Sequence, residues 1–206
     1  DGSPVALAAA GGRLYVGTDK GLLYCYGKAA GDDRPALLEP RSSKAPSGTN
    51  DAVAAAAKEI LEKSGVREGY CVDLGCGDGA LAFEHARQSK LEIYAVYADA
   101  KNVASARRRL DEAGLYGARV TVHQADPARC PYPRYFANLV VSGTGSAPAQ
   151  EVARLQRPSG GVSILGGRRT VRGSLAGAGS WTHAYADAAN TSCSGDTLVR
   201  GSLTMH

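Results

Sequence analysis

The stretch YCVDLGCGDGALAF, residues 70–83, restricts the fold of this chain more than any other segment. A short apolar run closes on the carboxylate of Asp73, glycines follow at 75, 77 and 79, and a helix-favouring segment begins at Ala80. Glycine takes positive φ at no steric cost and lets backbone come close to a ligand, so this pattern predicts a sharp strand-to-helix turn built around a small molecule. The hexapeptide GCGDGA also satisfies the dinucleotide pattern G-x-G-x-x-G/A, which alone is a weak signal. Asp73 argues against a dinucleotide. A carboxylate two residues before Gly75 repels a pyrophosphate that the helix N-terminus would otherwise attract, and it favours a ligand carrying an ammonium or sulfonium.

The segments around this turn set the fold class. Val53, Ala56, Ala57, Ile60 and Leu61 share one helical face, Thr49 or Asn50 can cap its start, and Gly65 can close it. Apolar runs then recur at Tyr70 to Leu74, Leu91 to Tyr97, Val120 to His123, Leu139 to Ser142 and Val162 to Leu165. Helix-like stretches at 80–89, 100–113 and 147–156 lie between them. Strands alternating with helices predict a Rossmann-like, doubly wound, mostly parallel α/β sheet, with its ligand at the carboxyl ends of the strands.

Val72-Asp73-Leu74-Gly75-Cys76-Gly77-Asp78-Gly79 resembles motif I of the class I S-adenosylmethionine-dependent methyltransferases. RVTVHQADPARCPYPRYFANLVVSG resembles the next two motifs of that family, with Asp126 at the acid that lies near the adenine. EVARLQRPSGGVSILGG resembles its turn into the fifth strand. The resemblance covers residues 51–167 and implies the class I methyltransferase fold, S-adenosylmethionine as cofactor and S-adenosylhomocysteine as product. The cofactor-binding set it implies is Asp73, Gly75, Cys76, Gly77, Asp78, Gly79, Tyr97, Asp99, Asp126 and Ser142.

One position departs from the family. Its second strand ends in an acid that binds the ribose hydroxyls, ten residues before the arginine of the next helix; counting back from Arg107 reaches Tyr97. Asp99 is the nearest carboxylate and falls on the same side of an extended chain, so it can substitute. If it does not reach, the lost charge-assisted hydrogen bond costs about 1.5–3 kcal/mol. Asp78 also suits a helix cap before Ala80, and Asp126 before Pro127 suits a turn. Cys71 reads as strand core, Cys76 as a filler of the turn, His85 as a helix-surface residue and His123 as a strand-end residue.

Methyl transfer from a sulfonium needs chiefly an aligned acceptor, and no catalytic base is identifiable. The loop SGTGSAP after the fourth strand lacks the Asn/Asp-Pro-Pro-aromatic signature of exocyclic-amine methylation, and no Pro-Cys nucleophile of the cytosine-C5 kind is present. A small-molecule acceptor is favoured. The net charge of +4 comes from scattered residues; its densest cluster, Arg107 to Arg109, reads as a solvated helix face, so nucleic acid is not indicated. Five cysteines without CxxC or zinc-type spacing read as reduced thiols, with no metal site. No apolar run approaches the roughly 18 residues of a membrane span.

The ends differ from the centre. Residues 1–27 predict a β-hairpin, with Tyr15 to Gly17 and Leu22 to Tyr26 joined by Thr18-Asp19-Lys20-Gly21. Residues 28–50 are rich in Pro, Ser, Gly and charge and read as a linker, and 168–206 as an irregular tail that leaves the family's last two strands lacking. GGRLYVGTDKGLLYCYG resembles a repeat of the quinoprotein alcohol-dehydrogenase-like (PQQ-type) β-propellers, and GSWTHAYADAANTSCS the start of another such segment. That resemblance implies a methyltransferase domain inserted in a propeller protein. Cofactor supply then favours the cytoplasm, whereas a quinoprotein-like parent favours export. A degenerate, non-catalytic scaffold and a nicotinamide dehydrogenase stay open as rival readings.

Overall fold

In the computed structural model of the chain, residues 2–28, 50–75, 77–143 and 147–199 are described. The alternating segments fold as a sheet ordered β6-β5-β4-β7-β8-β9, built from β4 (Glu68–Leu74), β5 (Lys90–Tyr97), β6 (Val120–Gln124), β7 (Leu139–Ser142), β8 (Val162–Leu165) and β9 (Arg168–Val171). The first five strands are parallel and β9 runs antiparallel to β8. The order reverses direction at β4, which pairs with β5 on one side and β7 on the other. Crevices at such a reversal bind ligands, and the glycine turn follows β4.

Alternate residues of the strands face two cores. On one face Cys71, Ile93, Ala95, Val120 and Val141 pack with Leu61 of α1 (Asp51–Ser64), Phe83 of α2 (Ala80–Gln88) and Leu110 of α3 (Ala100–Glu112). On the other, Val72, Leu74, Val96 and Val140 meet Val152 and Leu155 of the short α4 (Ala149–Leu155) together with Cys130 and Ala137. Tyr132 and Phe136 of the segment between β6 and β7 pack against this second core, and their rings stack at 5.3 Å.

The caps of α1 follow the sequence, whereas α2 (Ala80–Gln88) has Gly79 rather than Asp78 at its N-cap. Asn50 caps α1 by accepting from the Ala52 N–H at 2.9 Å, and Gly65 closes the helix at φ 70°. Ala56, assigned to the buried face, is exposed; the stripe runs through Val53, Ala54, Ala57, Ile60 and Leu61 instead.

The chain divides into two compact units, Asp1–Pro40 and Arg41–His206. The first holds a three-stranded antiparallel sheet ordered β1-β2-β3, from β1 (Pro4–Ala10), β2 (Arg13–Thr18) and β3 (Leu23–Tyr26). β2 and β3 form the predicted hairpin; β1 adds a strand that the alanine-rich VALAAA disguises, because alanine favours helix. The turn between β1 and β2 is Gly11-Gly12, with φ of 58° and 73°. A second pair, Gly166-Gly167 with φ of 52° and 79°, turns β8 into β9. Positive φ at both central residues is what the type I′ hairpin requires. Residues 168–171, read from sequence as the start of an irregular tail, are therefore a strand that extends the main sheet.

Two further corrections concern single residues. His85, read as a surface residue, is fully buried. Arg109 pairs with Asp78 and is half-buried, whereas Arg107, which also donates to the Val122 carbonyl at 2.8 Å, and Arg108 are exposed as the solvated face requires. Most of the predicted linker, residues 29–49, lies outside the described residues.

Candidate functional site

A cavity of about 420 Å³ opens at the carboxyl edge of the main sheet, where β4, β5 and β6 end. Leu74, Gly75 and Gly77 contribute from the turn after β4, and Tyr97, Ala98, Asp99 and Asn102 from the passage between β5 and α3. Asp126, Pro127 and Ala128 follow β6, and Ala147 and Pro148 precede α4.

Each part has a local cause. Gly75, Gly77 and Gly79 adopt φ of 81°, 82° and 82°, a conformation that any side chain would strain. A Cβ placed on Gly75 or Gly77 would meet nothing within 4 Å, so that side of the backbone is open to an approaching ligand. On Gly79 it would stand 2.8 Å from the Ala106 Cβ, so the third glycine is required by packing against α3. The Gly75 N–H donates to the Val96 carbonyl at 3.0 Å and ties the turn to β5. Asp99 caps α3 by accepting from the Asn102 N–H at 2.9 Å, which sets both side chains in the first turn beside the cavity. Asp126 accepts from the Ala128 N–H at 2.8 Å and holds its loop in a tight turn.

That loop is braced from behind. Glu151 of α4 accepts from the Cys130 N–H at 2.8 Å and forms a forked pair with Arg154, both contacts at 2.7 Å. Arg154 also donates to the carbonyls of Tyr132 and Cys130. The Arg154 guanidinium holds the Glu151 carboxyl below the usual carboxylate range. Burial pushes the Cys130 thiol up to about 12, so it is protonated at neutral pH.

Of the sequence-predicted residues, Gly75, Gly77, Tyr97, Asp99 and Asp126 come together around the cavity. Asp73, Asp78, Gly79 and Ser142 do not line it, and Cys76 lies outside the described residues. Asp73 is fully buried behind the turn, where the Tyr97 hydroxyl donates to its Oδ2 at 3.4 Å. The tyrosine that stands for an acid at the end of β5 thus serves the acid of β4. Asp78 accepts from the Ala80 N–H at 3.2 Å and pairs with Arg109 at 2.5 Å. Ser142 is buried at the end of β7.

Sequence reasoning missed Asn102, Ala147 and Pro148, together with Leu74, Ala98, Pro127 and Ala128, which adjoin residues it named. Asn102 had a signal: three residues after a capping Asp99, it falls in the first helical turn and faces the same crevice. The residues at 147 and 148 had none, since their approach depends on how α4 packs. The lining contains two carboxylates and, among the described residues, no lysine, arginine or histidine.

Residues 71–160 match the model of a family described as a methyltransferase domain. A crystal structure from Methanococcus maripaludis, provisionally named an S-adenosyl-L-methionine-dependent methyltransferase, is 26% identical with a TM-score of 0.51. The match covers 55% of this chain and 54% of that one. The [4+2]-cyclase SpnF is 23% identical with a TM-score of 0.50, over 61% of this chain and 47% of that one, a likeness of fold alone. The chain thus spans about half the length of these solved structures. No curated protein matches it at a significant level. The larger unit has the Rossmann-like methyltransferase fold with a mostly parallel sheet of six strands.

Proposed function

We propose that the larger unit binds S-adenosylmethionine in this cavity and transfers its methyl group to a small-molecule acceptor, releasing S-adenosylhomocysteine. The observation that carries this reading is the charge of the site. Asp99 and Asp126 line it, Asp73 stands buried behind it, and the described lining holds no cation to receive a diphosphate. At short range in a partly desolvated crevice, such a field favours a cationic ligand over a polyanion.

The residues present suit that cofactor. Asp99 and Asn102 offer a carboxylate and an amide at one rim for ribose hydroxyls, and Asp126 and Ala128 flank the far side. The open backbone at Gly75 and Gly77 admits close approach of the amino-acid end. When bound, the cofactor supplies a methyl group already activated on sulfur, so the protein's task is to hold the acceptor in line and exclude water. The match over residues 71–160 and the Methanococcus relative support the same reading. Incubation with methyl-labelled S-adenosylmethionine and a panel of small acceptors should yield S-adenosylhomocysteine with one acceptor class. A protein that binds neither molecule would overturn the proposal.

Two finer readings belong to it. The blade resemblance of residues 1–27 rests on sequence, since a three-stranded meander such as β1-β2-β3 is common to many folds; joined to a second segment in 179–194 it would make the larger unit an insertion in a propeller protein. Among the described residues no helix is long and apolar enough to cross a membrane, and supply of the cofactor favours a cytoplasmic site of action.

A further inference from the structure

We infer that Arg109 is a positioning residue for the cavity, and that Asp78 serves it rather than the ligand. The inference rests on the proposed cofactor reading for its ligand but on the free protein for its geometry. Asp78 is the one acidic residue of the glycine turn, yet it does not line the cavity. Its Oδ2 takes the Arg109 guanidinium at 2.5 Å, and its Oδ1 takes the Ala80 N–H at 3.2 Å. The arginine side chain is 22% exposed, and its Nε is buried with no hydrogen-bond partner among the described residues. Burying that donor is costly, and among the described residues the acid that pairs with this guanidinium is Asp78, whose side chain is 46% exposed.

One helix therefore meets the site twice. The first turn of α3 presents Asp99 and Asn102 to the cavity; later turns press Ala106 against Gly79 and hold Asp78 through Arg109. Three glycines at positive φ lose more conformational freedom on ordering than other residues at those positions would. Without a clamp the turn samples other conformations, and a ligand's apparent affinity falls by the fraction of time the competent one is absent. The pairing also sets a positive charge against that of Asp78, so the field at the cavity comes chiefly from Asp73, Asp99 and Asp126.

The test uses the whole chain and the variants Arg109→Gln, Asp78→Asn, both together, and Arg109→Lys. Amide hydrogen exchange of the free protein reads the clamp without any ligand. The Gly75 N–H, bonded to the Val96 carbonyl, should lose protection by about tenfold in Arg109→Gln while the β4 and β5 amides of Val72 and Ile93 keep theirs. Binding of S-adenosylhomocysteine should weaken about fivefold to tenfold in either single variant, no further in the double variant, and recover partly in Arg109→Lys. Unchanged exchange at Gly75, equal loss at Val72 and Ile93, or additive losses in the double variant would overturn the clamp. If the wild-type protein binds no S-adenosylhomocysteine, the cofactor reading fails, and the exchange result still decides the role of Arg109.

Discussion

Asp73 sits fully buried at the end of β4, bonded by the Tyr97 hydroxyl, so in the proposed cofactor reading its effect on a ligand is through its field rather than by contact. Asp73→Asn keeps the shape and an acceptor for Tyr97 while removing the charge. We expect S-adenosylmethionine affinity to fall at least about tenfold, with the melting temperature within a few degrees of wild type; equal affinity would remove the charge from the account. His85 offers a second test at this scale. Burial lowers it from 6.5 to about 4, partly opposed by the Glu84 carboxylate beside it, so the folded protein holds it neutral. Its folded value is depressed, so the unfolded chain binds the extra proton between those values. Stability from this residue is complete above about pH 6.5 and declines as pH falls toward 4, by on the order of 3 kcal/mol. Urea midpoints of His85→Leu should therefore vary less between pH 7 and 4.5 than those of wild type. The neutral buried state was not legible in the sequence, because Phe83, His85 and Ala86 all turn inward on a nine-residue helix whose exposed stripe is narrow. The acids at 99 and 126 were legible, Asp126 from its place in the motif the chain resembles and Asp99 as the nearest carboxylate to the position counted back from Arg107.

Elements show which physical signals carry and which fail. The five parallel strands were readable because a strand buried on both faces is a near-continuous apolar run. α1 was readable from its period and from the Asn50 and Gly65 caps. Asn50→Ala should cost α1 about 1 kcal/mol, measurable as a lowered urea midpoint. β1 and β9 were missed because their composition opposes their conformation: one is alanine-rich and the other begins with two arginines. Each was nonetheless announced by a Gly-Gly pair, the turn chemistry that sets register in a two-residue hairpin. At the turn after β4 the three glycines are not equivalent. Gly79→Ala adds a Cβ 2.8 Å from Ala106 to the strain of positive φ, whereas Gly77→Ala adds the strain alone. Gly79→Ala should lower the melting temperature more, and Ala106→Gly should return part of that difference.

On the scale of the molecule, the two units differ in what they bury. The larger unit has two cores on opposite faces of its sheet. The smaller has a three-stranded sheet on which Val5, Leu7, Leu23 and Tyr26 stand exposed. A three-stranded sheet that leaves those apolar side chains exposed among the described residues opens more readily than a sheet buried on both faces, so amides of β1–β3 should exchange far faster than those of β4, β5 and β7. Comparable protection in both sheets would contradict that picture. The central claim is that a negative crevice at the end of β4 selects a sulfonium nucleoside over a diphosphate. Titration calorimetry of the whole chain with S-adenosylmethionine and, separately, with NAD tests it most directly. Saturable heat with the first and none with the second is the predicted result, and tighter binding of NAD would contradict it.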